Sequence, residues 1–98
     1  MRCNDSAESL SYTSFGSVYN VECPEGCPLD NVWGNANRSA SISSICGAAR
    51  TAGINGGAFQ VLIMEGANSY TSASIENESS NNLNSPTTHA FRVGNPGK

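Results

Sequence analysis

The chain has 98 residues, 38% of them apolar and only 13% charged, against roughly 25% charged in an average soluble protein. Its net charge is −3, with a pI of about 4.8. One lysine, Lys98, and four scattered arginines, Arg2, Arg38, Arg50 and Arg92, make no basic patch. That argues against nucleic acid as a partner and against electrostatic capture by an anionic membrane.

The length is that of one domain, which buries about 60–65% of the surface its unfolded chain exposes, so covalent cross-links would help it. Polarity comes from uncharged Ser, Asn, Thr and Gly, a balance common in secreted and cell-surface modules. Low net charge favours a folded domain over a disordered one. The longest apolar run, 59–64, is far short of the roughly 20 residues that span a bilayer, so no transmembrane segment is expected. Residues 1–10 lack the apolar stretch of a signal peptide. An extracellular location therefore implies a signal absent from residues 1–98, with Met1 standing in front of a module cut from a longer secreted protein.

In chain order, "SVYNVEC" (17–23) has strand composition and closes on Cys23. Ile42, Ile45, Cys46, Ala49 and Ala52 recur at helical spacing, which predicts a helix over about 42–52, capped by Ser41 or Ser43 and ended by Gly53. Gly47 inside it costs about 1 kcal/mol relative to Ala, which implies close packing against other backbone. "AFQVLIM" (58–64) is the strongest strand, "SSNNLNSPTT" (79–88) a polar loop, and "HAFRV" (89–93) a last strand before the breakers at 94–98. There is no internal repeat and no heptad. The fold class expected is α+β, a single central helix wrapped by antiparallel β-strands, because one helix cannot cover both faces of a parallel sheet.

Four cysteines, Cys3, Cys23, Cys27 and Cys46, allow three pairings. C-x3-C is tolerable for zinc, but the other two thiols lie singly, 20 and 19 residues away on opposite sides. A thioredoxin-like role needs C-x-x-C. Structural disulfides are the favoured reading, and neither a metal nor a cofactor is expected.

"VECPEGCPLDNVWGN", followed by "SSICGAARTAG", "GG", "FQV" and "NSY", resembles the LCCL domain, an extracellular module of multidomain proteins. The resemblance runs over about 3–93 and implies a central helix wrapped by β-sheets. By position it also implies disulfides joining Cys3 to Cys23 and Cys27 to Cys46, each closing a loop of about 20 residues worth roughly 3 kcal/mol. The chain departs from the family pattern at Arg50, where an aliphatic residue is usual, at Thr51, where a His is common, around Arg38, and at 77–80, "NESS", which lacks a glycine.

Trp33 reads first as a core residue against the helix and second as a sugar-stacking platform. Arg50 must snorkel, pair with Glu22, Glu65 or Glu78, or bind an anion. Trp33, Arg38 and Arg50 together form the candidate ligand surface. His89 reads as an ordinary strand residue and Ser43-Ser44 as helix capping. No acid, base and nucleophile can be assembled, so no catalytic residue is assigned and the chain is not expected to be an enzyme. Sequons at Asn4, Asn37 and Asn77 are candidate N-glycosylation sites, and a glycan at Asn37 would block the surface beside the helix start.

The resemblance implies an extracellular recognition or adhesion module for lipopolysaccharide, lipid or carbohydrate, in innate recognition or matrix contact. The acidic balance requires shape and apolar contact to dominate in any complex with a phosphorylated lipid. The alternative is a structural module that makes protein–protein contacts with neighbouring domains or partners, as in adhesive proteins of apicomplexan parasites. A concave polar groove would favour recognition, and an exposed apolar patch would favour assembly.

Overall fold

A computed structural model describes residues 1–10, 15–35, 37–75 and 77–94; the breakers expected at 95–98 lie outside the described residues. The strongest apolar run becomes the middle of the main sheet. Strand β3, Gly57–Glu65, pairs antiparallel with β1, Val18–Cys23, on one side and with β6, His89–Gly94, on the other. A two-residue strand β2, Ser39–Ala40, completes the order β1-β3-β6-β2. Alternation puts Phe59, Val61 and Ile63 on one face. The register sets Val21 and Tyr19 beside the first two, and Val93 and Phe91 beside the last two. Phe59, Val61, Ile63 and Phe91 are fully buried there with Leu29, Val32 and Ile45.

A second core lies on the opposite face. Met64 and Ala90 are paired in register one position out of step with that first set, and they pack with Ala40, Tyr70, Trp33, Ala67 and Leu83. Three features were not foreseen in the sequence: a single 3-10 turn at Ala7–Ser9, the strand β2, and a small hairpin of β4, Ser74–Ile75, and β5, Glu78–Ser79, which takes Ser79 out of the expected loop. Within the rest of that loop, Asn81 and Leu83 bridge to Trp33 and Tyr70.

Helix α1 runs Ile45–Thr51, shorter than the spacing predicts. The cap is Ser44, one of the Ser43-Ser44 pair read as capping, rather than Ser41 or Ser43; its Oγ accepts from the Gly47 N–H at 2.9 Å and donates to the Cys3 carbonyl. Ser43 is engaged elsewhere, its Oγ accepting from the Trp33 N–H at 2.8 Å. Ile42 falls outside the helix and is 42% exposed, because β2 ends only two residues before it. Every residue from Ile45 to Arg50 is buried, so the helix is central as expected. Gly53, at φ +85°, ends it. At Gly47 a methyl group would stand 2.6 Å from Val32 Cγ2 and 2.7 Å from the Pro28 carbonyl oxygen, which accounts for the glycine.

The disulfides differ from the pairing that the resemblance implies. Cys3 joins Cys27 and Cys23 joins Cys46, with Cα–Cα distances of 5.2 and 5.6 Å. The strand period explains this. Cys23 continues the inward positions Tyr19 and Val21, so its side chain enters the core where Cys46 stands. The turn at Pro24–Gly26 then carries Cys27 back to the N-terminal segment, which the Ser44–Cys3 and Ile45–Asp5 hydrogen bonds hold against the helix start.

Arg50 also leaves its expected place. Its side chain is only 9% exposed, and Nη1 donates to the Cys27 carbonyl at 2.7 Å and pairs with Glu78 Oε2 at 2.6 Å. Glu78 is one of the three carboxylates considered from sequence. A buried, paired guanidinium is no part of a ligand surface, so Arg50 is withdrawn from that set.

Peptide mapping of the unreduced protein is expected to return 3–27 and 23–46; recovery of a 27–46 peptide would overturn this topology. Gly47→Ala is expected to destabilise by about 1–3 kcal/mol in urea unfolding although alanine favours helix, because the added methyl overpacks a rigid contact. Glu78→Gln is expected to cost about 1 kcal/mol, since Glu78 is partly solvated. Arg50→Ala, which strips the Cys27 carbonyl and the carboxylate together, is expected to cost about 2–4 kcal/mol. Equal losses for the two variants would show that the ion pair, and not the carbonyl bond, dominates.

Candidate functional site

The segment Val32–Ala40 doubles back on itself. The Ala40 N–H donates to the Trp33 carbonyl at 2.9 Å and the Asn35 N–H to the Arg38 carbonyl at 3.0 Å. Gly34 sits at φ +128°, a backbone state open to glycine, and Ser39 packs against its Cα. Asn35 governs the loop: its Oδ1 accepts from the Asn37 and Arg38 N–H groups at 2.9 and 3.4 Å, as asparagine does in turns.

Facing this loop is Ala67–Thr71, fixed by Tyr70. That ring is 4% exposed, its hydroxyl accepts from the Ala67 N–H at 2.8 Å and bonds the Thr87 hydroxyl, and its backbone bridges Leu83. Asn35 Nδ2 donates to the Thr71 carbonyl at 3.0 Å and joins the two walls. Between them lies a cleft of about 320 Å³, with Asn35, Asn37 and Arg38 on one side and Ala67, Ser69, Tyr70 and Thr71 on the other.

The cleft is polar and carries one fixed positive charge. Arg38 is exposed and forms no ion pair among the described residues. Ser69 and Thr71 are exposed beside it. Amide and hydroxyl groups around a guanidinium can bind a ligand that offers hydroxyls and an anionic group.

Of the three residues named from sequence, Arg38 lines the cleft. Trp33 is half-buried and lies behind it, in the cluster with Tyr70 and Ala67, rather than against the helix as its first reading had it. Arg50 is remote in function, buried in the helix core. Asn35, Ser69, Tyr70 and Thr71 were missed as site residues. Part of the signal was available: V-W-G-N (32–35) and N-S-Y (68–70) both belong to the family resemblance, and they supply Asn35 to one wall and Ser69 and Tyr70 to the other.

His89 opens β6 opposite Glu65, with the Phe15 ring 4.9 Å away. Asn4, Asn37 and Asn77 are all exposed. Among the described residues no three His, Cys, Asp or Glu side chains converge as a metal site, and no helix is long and apolar enough to cross a membrane.

Cochlin of Cavia porcellus is 47% identical over 57 residues, which cover 53% of this chain and 10% of cochlin. The chain thus spans about a tenth of the length of that relative. The sequence model of the LCCL domain matches residues 1–91, nearly the whole chain. This chain belongs to the LCCL domain family.

Proposed function

We propose that the chain is a non-enzymatic extracellular recognition module that holds a hydroxyl-rich anionic ligand in the cleft between Asn35–Arg38 and Ala67–Thr71. Membership in the LCCL family points to an extracellular module, and two disulfides suit an oxidising compartment. The observation that carries the reading is Arg38, an arginine with no carboxylate partner among the described residues, at the rim of a concave polar cleft in a chain that has so few cations.

An acidic carbohydrate fits these groups. The glycan portion of lipopolysaccharide fits them as well, but the polar walls offer little to acyl chains. Recognition would rest on one charge-assisted bond to Arg38 and on hydroxyl contacts from Asn37, Ser69 and Thr71, with Tyr70 and Trp33 holding the floor rigid. In this reading the module works within a larger multidomain protein, presenting the cleft beside neighbouring domains.

The test is a heteronuclear NMR titration of the oxidised, 15N-labelled domain with uronic-acid glycans, neutral glycans and lipid A. Saturable shifts at Asn35, Arg38, Ser69, Thr71 and the Trp33 indole are expected with the acidic sugars. Arg38→Gln is expected to weaken binding about tenfold, the value of one charge-assisted hydrogen bond. Shifts that spread instead over the exposed Phe15 and Val18, and only on adding a protein partner, would assign the assembly role.

A further inference from the structure

Asn37 has two identities that the sequence alone does not connect. It begins the sequon Asn37-Arg38-Ser39, and it lines the cleft. We propose that Asn37 is an N-glycosylation site whose glycan occupies that cleft, so that the chain exists in a capped form and an open form.

Four observations carry this. Asn37 is exposed, and its carboxamide makes no hydrogen bond among the described residues, so Nδ2 can carry a sugar without breaking a contact. Its backbone N–H is held by Asn35 Oδ1 at 2.9 Å, which fixes the attachment point at the rim. The cleft, about 320 Å³, is near the lower end of small-ligand sites, roughly 300–1,000 Å³, so the first sugars of a tethered glycan suffice to fill it. The two other sequons serve as contrasts. Asn4 follows a bridged cysteine and its Oδ1 accepts from Asn31 Nδ2 at 2.9 Å, while Asn77 sits in the turn between β4 and β5, and neither lines the cleft.

In the modification Nδ2 attacks the anomeric carbon of a lipid-pyrophosphate-linked oligosaccharide. The C–N bond forms as the bond to the pyrophosphate oxygen breaks; the lipid pyrophosphate leaves with the electron pair, and the proton released from Nδ2 is taken up by water. No oxidant or reductant is involved. The hydroxyl of the third sequon residue must be accessible to the transferase. Once the chain is folded that hydroxyl is hidden: Ser39 is 1% exposed, and its Oγ donates to the Asn35 carbonyl at 3.0 Å. Transfer therefore belongs to the unfolded chain, and the capped and open forms do not interconvert afterwards.

That the glycan shuts out a ligand rests on the recognition reading above; its attachment and its place in the cleft do not. The test needs no ligand. The chain is secreted from a mammalian line behind an exchangeable signal, and occupancy is read by peptide mapping after enzymatic release, which leaves aspartate at each formerly modified asparagine. Occupied Asn37 is the expected result, and an unmodified Asn37 overturns the proposal. Arg38 is then titrated with phenylglyoxal in the secreted protein and in Asn37→Gln. The glycosylated form is expected to react several-fold more slowly, and equal rates would overturn the placement in the cleft. A failed glycan titration on the unmodified domain would instead sink the recognition reading and leave this occupancy result standing.

Discussion

Gly47 sets how closely α1 approaches the Pro28–Val32 segment, and the rest of the molecule is arranged around that approach. With no side chain there, the helix backbone lies against the Pro28 carbonyl and the Val32 methyl. A seven-residue helix is too short to be stable by itself. It persists because Ile45 through Arg50 are all buried and because Ser44 satisfies its first turn. The same closeness brings Cys46 to Cys23 and lets Arg50 reach the Cys27 carbonyl. The segment leaving this contact is Val32-Trp33-Gly34, which crosses from the main core to the second core and leads into Asn35, where one wall of the cleft begins.

Two positions that the resemblance marks as departures meet each other, Arg50 on the helix and Glu78 in the 77–80 stretch. In space they are an ion pair at 2.6 Å. A buried guanidinium left alone costs several kcal/mol, so the charge at 50 is tolerable only with acceptors supplied around it. The Cys27 carbonyl and Glu78 are those acceptors. Two positions that look unrelated along the sequence are one ion pair.

Period and composition were enough for the three long strands and the existence of the helix, because each carries an uninterrupted apolar pattern over several residues. They failed where structure is specified by contacts far apart in sequence. The β2 strand has two residues and exists only because β6 lies beside it. The helix start moved from 42 to 45 because Ser44, not the apolar repeat, decides where the first turn is capped. The residues alone left three cysteine pairings open, and the pairing carried over by position from the family resemblance is not the one formed, because strand alternation and the turn after Cys23 interleave the two bridges. The cleft was half legible. Arg38 and Trp33 drew attention as a charge and an aromatic, but Asn35 and Thr71 hold the walls together through a bond between residues 36 positions apart, which no local pattern announces.

The cleft and the disulfide core use opposite faces of one sheet. Met64 and Ala90 face the Tyr70 cluster, while Ile63 and Phe91 face the helix. Sites separated in this way contribute to stability almost independently. Exposed residues of the walls, Asn37, Arg38, Ser69 and Thr71, can therefore change without disturbing Gly47 or either bridge. Asn35 and Tyr70 cannot, because they hold the walls through hydrogen bonds to the backbone. A frame that tolerates change at its rim suits the recognition role proposed above, in which the rim chemistry would decide what the cleft takes. In this chain the rim holds one cation, Arg38, beside the sequon asparagine Asn37, so the ligand and the glycan proposed above would compete for the same space.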